Sequence, residues 1–333
     1  MGVSRRAGLA MFVIGWLAAG SAVAGETAAR ITVAFDGFSM TSAPMYYADK
    51  KGIFGKFGIE TKPTFIDGGS TLSHAVVGGS IDIAQNGYTP AITAAVQGAD
   101  IVVIGGISNK LPYQLVVRAA FSEPQQLKGA KIAISRFGSS TDTAVEFALA
   151  HVGLKRSDVN ILQLGGAATR MAAAMSGQID GTVEQYPVTE ELMEHGYRVL
   201  VDLTDIAGDY PNTAYVTTRA YLKAHPDLVK RFFMVMATAV HAYKTDREEA
   251  ILLTQEFLGV KNSVAATAAY EAYTQKVYPD DLRPSLNGIA LVLKDLERHV
   301  PAAASVKPEQ LVDTSALDAL HRDGFFTALA RGN

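Results

Sequence analysis

At 333 residues, 48% hydrophobic and 19% charged, the chain is long enough for two domains with full cores and has the composition of a folded globular protein rather than a disordered one. With 30 Lys+Arg against 33 Asp+Glu and no long basic run, nucleic acid is not an expected partner. The lack of cysteine excludes structural disulfides, thiolate catalysis and a lipid attached through an N-terminal cysteine.

Residues 1–24 form a class apart: Arg5 and Arg6, an apolar run from Ala7 to Gly20, then Ala22-Val23-Ala24 before Gly25. This is the pattern of a secretory signal with an A-x-A cleavage site, and the run is too short for a spanning helix. Ser4-Arg5-Arg6 leaves both the general and the twin-arginine export routes open. Cleavage removes two arginines and no acid, which moves the net charge from −3 to −5.

From residue 31 strands and helices alternate. Strands are predicted at 31–35, 60–65, 81–85 and 101–107, with helices at 44–56, 71–77 and 90–96 between them, and 115–117 leads out of the first unit. A second unit follows, with strands at 131–135, 159–164 and 199–202, a helix at 141–152, and residues 215–218 as the returning strand. Beyond Arg219 the pattern is helical, with helices beginning at His225-Pro226-Asp227 and covering 264–276 and 288–299, expected to pack back on the first unit. The Met and Phe stripe through Phe232, Phe233, Val235, Met236 and Val240 has helical spacing and reads as core. The expected partition is lobe 1 at 25–118 and 219–333 and lobe 2 at 119–218, with crossings near Val117 to Ala120 and Val216 to Arg219.

One pattern occurs twice. Gly68-Gly69-Ser70-Thr71, an amphipathic stretch and Gly79-Ser80-Ile81-Asp82 reappear as Gly165-Gly166-Ala167-Ala168, a second such stretch and Gly177-Gln178-Ile179-Asp180. Each copy reads as loop, helix, glycine stop, strand, which implies two related α/β lobes, each a mostly parallel sheet flanked by helices. In open α/β sheets ligands bind beyond the carboxyl ends of the strands, so two facing lobes would hold a small molecule between them.

Ala43-Pro44-Met45-Tyr46-Tyr47-Ala48-Asp49-Lys50-Lys51-Gly52-Ile53-Phe54, then Gly58-Ile59-Glu60, Leu127-Lys128-Gly129 and Phe137-Gly138-Ser139-Ser140-Thr141-Asp142 resemble, in order and spacing, solute-binding proteins of the nitrate, sulfonate and taurine ABC-importer group, the SsuA/THI5-like or NMT1-like proteins. The resemblance runs over nearly all of the chain after the signal. It implies a type II two-lobed periplasmic-binding-protein fold, ligand capture by lobe closure, and delivery to an inner-membrane ABC permease with its ATPase. Relatives that make the thiamine pyrimidine enzymatically look dependent on a cysteine-rich segment, which this chain lacks.

The binding residues are expected at strand ends and helix starts. Gly69-Ser70-Thr71 and Ser139-Ser140-Thr141 place backbone N–H groups, hydroxyls and the positive end of a helix dipole at one spot, suited to an anionic head group or to plain N-capping. Arg136 at a strand end either clamps a carboxylate or sulfonate or makes a structural pair. Asn86, Tyr88, Glu184 and Tyr186 follow matching strands; Glu184 either meets a ligand ammonium or caps its neighbours. Ser39 follows the first strand. No H-E-x-x-H, G-x-S-x-G or P-loop pattern occurs, so no catalytic residue, metal ligand or cofactor is expected. The reading is an exported, monomeric solute-binding protein of an importer for a small, anionic organic molecule. An envelope enzyme on the same fold, a ligand-sensing subunit and a binder of thiamine-pyrimidine precursors stand as alternatives.

Overall fold

The computed structural model describes residues 28–332, and the export signal expected at 1–24 lies outside them. In chain order the first stretch holds β1 (Ala29–Arg30), β2 (Val33–Phe35), α1 (Ala43–Lys50), α2 (Ile53–Lys56), β3 (Ile59–Glu60), β4 (Thr64–Phe65), α3 (Gly69–Val77), β5 (Ile83–Gly87), α4 (Tyr88–Val96) and β6 (Val102–Ser108). The second holds β7 (Gln114–Arg118), β8 (Lys131–Ile134), α5 (Ser140–His151), β9 (Asn160–Gln163), α6 (Ala167–Met175), β10 (Gly181–Glu184), α7 (Val188–Glu194), β11 (Tyr197–Asp202) and α8 (Leu203–Ile206). The chain then returns through β12 (Thr213–Thr217) and ends in α9 (Arg219–Ala224), α10 (Pro226–Thr245), α11 (Arg247–Leu258), α12 (Ser263–Lys276), α13 (Leu286–Leu296), α14 (Ser315–Arg322) and α15 (Phe325–Ala330).

Two five-stranded sheets result, ordered β4-β2-β5-β12-β6 and β11-β7-β10-β8-β9. In the first, β2 runs parallel to β4 and β5, whereas β12 is antiparallel to β5 and β6. In the second, β8 is parallel to β9 and β10, and β7 is antiparallel to β10 and β11. The antiparallel strand in each sheet is the one that has just arrived from the other lobe. Assigned by pairing, residues 114–118 belong to the second sheet and 213–217 to the first. The crossings therefore fall at 109–113 and 203–212, each about one strand earlier than the expected boundaries at 118 and 218. Leu115, Val116 and Val117 are fully buried, and a continuous apolar run carries no local sign of which sheet will claim it.

Two further expectations change for local reasons. The single strand expected at 60–65 is two: Ile59–Glu60 pairs with β1 and Thr64–Phe65 with β2. Pro63 between them has no N–H to give a ladder. The helix expected at 44–56 breaks at Gly52, whose φ is +63°.

The repeated loops share the backbone turn of their glycines as well as sequence. Gly68 and Gly165, which open α3 and α6, both have φ +85°, and the stops Gly79 and Gly177 have φ +75° and +72°. A side chain in this region is strained, so glycine at these four positions sets where each helix begins and ends. The stripe on α10 is core: Phe232, Phe233, Val235 and Met236 are fully buried and pack with Val33, Ile83 and Ile104 of the first sheet. At roughly 1.5–3 kcal/mol for each such side chain, this one helix face is a major part of what fastens the helical half to lobe 1. A second core continues across the lobes from Ile92 on α4 through Val145 on α5 to Ile289 on α13. No helix among the described residues is long and apolar enough to cross a membrane.

Candidate functional site

A cavity of about 590 Å³ lies between the two sheets, at the carboxyl ends of β2, β8 and β10. Lobe 1 gives it the loop after β2 (Asp36, Phe38, Ser39), Phe65 and Gly69; lobe 2 gives Ser139, Ser140 and Thr141 at the start of α5, Arg170 on α6, and Glu184 and Tyr186 after β10. Tyr113 and Asn212 line it from the crossings, and Phe257 at the end of α11 closes one side.

Seven of the twelve sequence candidates line this cavity: Ser39, Gly69, Ser139, Ser140, Thr141, Glu184 and Tyr186. Ser39 Oγ is 2.9 Å from Thr41 Oγ1. At the start of α5, Ser139 Oγ and Thr141 Oγ1 lie 2.8 Å apart and both are 2.9 Å from Ser135 Oγ. This buried hydroxyl cluster stiffens the turn at the start of a twelve-residue helix, where the N–H groups of Asp142 and Thr143 bond the Ser139 carbonyl and those of Ser140 and Thr141, at the cavity wall, have no carbonyl of their own helix to bond.

The other five do not line it. Tyr88 and Asn86 are fully buried. Asn86 Nδ2 donates to Ser73 Oγ at 2.7 Å, and its Oδ1 accepts from the N–H of Gly87 at 2.8 Å. Burial pushes the Tyr88 hydroxyl far above its ordinary range, so it remains neutral inside lobe 1. Thr71 is exposed on the outer side of α3. Ser70 reaches across to the carbonyl of Phe137 at 3.4 Å. Arg136 leaves the strand end as expected, but its guanidinium turns over Gly68 to Asp67, with Nε 3.3 Å from the Asp67 carbonyl and Nη2 3.7 Å from Oδ2. Asp67 is the nearer anion and captures it, so Arg136 ties the lips of the two lobes rather than facing the cavity. Arg136→Ala is accordingly expected to change the affinity of a bound ligand by less than about 1 kcal/mol, the scale of an exposed pair, while speeding its release. Stopped-flow displacement checks both; a loss of about 2 kcal/mol in equilibrium affinity would return Arg136 to the ligand.

Glu184 is committed as well. It accepts from Arg170 Nε at 2.8 Å and Nη2 at 2.7 Å, a two-point bond between side chains that are 2% and 5% exposed. Its carboxylate therefore serves lobe 2 rather than a ligand ammonium.

The loop after β2 holds what sequence reading missed. Asp36 Oδ2 accepts the N–H of Gly87 at 3.0 Å, and a Cβ built on Gly69 would lie 2.9 Å from the same oxygen. A protein carboxylate thus takes the N–H at the start of α4 and lies against Gly69 at the start of α3, where an external anion was expected, and a side chain at position 69 would meet it as well as Pro90 and Asn86. Burial lifts Asp36 to about 6; the Gly87 N–H opposes this and the charge of Asp67 adds to it. Beside it, Phe38 and Phe65 stand 4.7 Å apart and are 47% and 37% exposed, with Phe257 at 5.2 Å from Phe38. Among the described residues no group of three or more acids and histidines is arranged to hold a metal.

Two α/β lobes joined by two crossings, with a cavity walled by strand and helix ends of both, define the two-lobed periplasmic-binding-protein class. The periplasmic aliphatic sulphonate binding protein SsuA from Escherichia coli has this fold, at a TM-score of 0.68 and 22% identity over 86% of this chain and 98% of that one. The chain belongs to the NMT1/THI5-like family, whose profile matches residues 39–250. It is 28% identical over 238 residues to the putative aliphatic sulfonates-binding protein of Escherichia coli (strain K12), covering 69% of this chain and 73% of the relative. It is 31% identical over 211 residues to the taurine-binding periplasmic protein of the same strain, covering 62% and 63%.

Proposed function

We propose that the chain is the periplasmic solute-binding component of an ABC importer, exported by a cleaved signal at 1–24, and that as a monomer it captures a small organic acid and delivers it unchanged to a membrane permease and its ATPase. The observation that carries this is the cavity between the lobes, walled by both and closed at its lips by Arg136–Asp67 and Ser70–Phe137. A ligand that touches both walls is gripped and released as the lobes rotate about the crossings. The start of α5 is the open anion anchor, and the ligands for which the relatives are named favour a sulfonate there. The cavity aligns no general base with a nucleophile, which favours binding over chemistry.

The test is a melting screen of the mature protein against sulfonates, carboxylates, nitrate and pyrimidines, because a ligand that binds only the native state raises the melting temperature by mass action. One class should do so and be recovered unchanged by mass spectrometry. Conversion of a hit into product would overturn the binding role. With the hit in hand, small-angle scattering should give a smaller radius of gyration at saturation, as the open population is drawn into the closed one.

A further inference from the structure

The charges around the cavity do not match a ligand that is only an anion. Besides Arg170 its charged walls are Asp36, Asp67, Glu184, Glu191 and Glu256. Arg170 is held by Glu184, Asp67 by Arg136, and Glu256 by Lys50 at 2.6 Å. Asp36 and Glu191 have no such partner, and of the two Asp36 lies on the loop that carries Phe38: among the described residues no side chain donates to Asp36 and no Lys, Arg or His pairs with it. What faces it is the N–H of Gly87 at the start of α4, the Asn86 amide oxygen, Gly69 at the start of α3, the like charge of Asp67, and the hydroxyl of Tyr113. A half-buried carboxylate left in this state is costly, and a charge-assisted donor from a ligand would relieve the cost.

Two residues further along the same loop begins the aromatic wall. Phe38 and Phe65 expose large rings toward the cavity, where isolated phenyl surface gains nothing from water, and Phe257 backs them. Carboxylate and ring faces at one end of a cavity are the two surfaces a protonated amine on an apolar body prefers.

Resting on the solute-binding reading, we infer that the ligand carries a protonated amine that docks on Asp36, and an apolar body that lies against Phe38, Phe65 and Phe257. The class is an amine-bearing organic solute with an aromatic or similarly bulky apolar portion. Asp36 is the residue that selects it over solutes of the same shape without the nitrogen.

The experiment uses a matched pair, para-(aminomethyl)benzenesulfonate and para-ethylbenzenesulfonate, which share ring and sulfonate and differ by ammonium against methyl, with benzylamine as a third probe lacking the acid. By calorimetry on the mature protein at neutral pH, the aminomethyl compound should bind at least about tenfold tighter than the ethyl one, as expected for a charge-assisted bond to a part-buried carboxylate. In Asp36→Asn, an isosteric change that keeps an acceptor for Gly87, the ratio should fall to within about threefold, by loss on the aminomethyl side alone. Equal affinities in the unaltered protein overturn the inference whether or not the variant folds, as does a ratio that Asp36→Asn leaves intact. Failure of all three probes overturns it too. If plain sulfonates or other solutes still raise the melting temperature, the solute-binding role stands without it; if benzylamine binds and the ethyl compound does not, the inference stands and the sulfonate assignment falls.

Discussion

Arg170→Met is expected to destabilise the protein by about 3–5 kcal/mol, the cost of leaving one member of a buried ion pair without the other. Arg170 donates to both oxygens of Glu184 and, through Nη1, to the carbonyl of Gly165 at 2.6 Å. Without it, Glu184 keeps only the hydroxyl of Thr182, at 2.8 Å, in a wall almost closed to water. Removing both charges leaves no buried charge unpaired, so Arg170→Met with Glu184→Leu should recover most of the loss. Urea unfolding at constant m-value measures both variants. A single variant within about 1 kcal/mol of the parent would show that the pair is worth no more than a surface bridge. The pair also fixes the cleft. Through Gly165 it anchors the loop that opens α6, so its loss should lower ligand affinity even at temperatures where the fold survives.

The sequence made the punctuation of this fold readable and left the pairings hidden. Gly68, Gly79, Gly165 and Gly177 could be found because positive φ is a local demand that a single residue type meets. The same holds for Ser139 and Thr141, small hydroxyl residues at a helix start. Lobe membership of β7 and β12 is a different kind of fact, decided by strands from across the chain; β7, for example, pairs with β10 more than sixty residues on. Arg170 sits inside a small-residue helix where it reads as one more surface arginine, and nothing near it announces Glu184. Asp36 was within reach. It directly follows the apolar strand Val33-Ala34-Phe35, at the carboxyl end where open α/β sheets bind ligands, so the rule that singled out the ends of β5 and β10 applies to β2 as well. Applied to β5 it pointed inward instead, because Asn86 and Tyr88 turn into lobe 1. Arg136 was correctly placed at a strand end, yet which anion it meets depends on Asp67 in the other lobe.

Asp36→Asn is expected to stabilise the ligand-free protein at pH 7 while removing its preference for amines. The carboxyl has an ordinary value of 3.8 and about 6 in the fold, so between these pH values the native state holds a proton the unfolded chain has released. Stability must then fall as pH rises through this window, with none of the loss below it and all of it above. The full displacement would amount to about 3 kcal/mol, but the carboxylate is only part-buried and faces cleft water, so screening brings the expected gain in the variant to about 1–2 kcal/mol. Glu190, which burial pushes up to about 7, adds a slope of its own to the curve. It does so in both proteins, and the difference between them isolates Asp36. A docked ammonium reverses the preference, since it favours the ionised carboxylate. Amine affinity in the unaltered protein should therefore weaken as pH drops below about 6, whereas stability without ligand improves over the same interval. Chemical denaturation from pH 4 to pH 8, with and without para-(aminomethyl)benzenesulfonate, reads both slopes. If the two proteins keep a constant difference in stability across that range, Asp36 does not titrate there, and the carboxylate is too well solvated to account for selection.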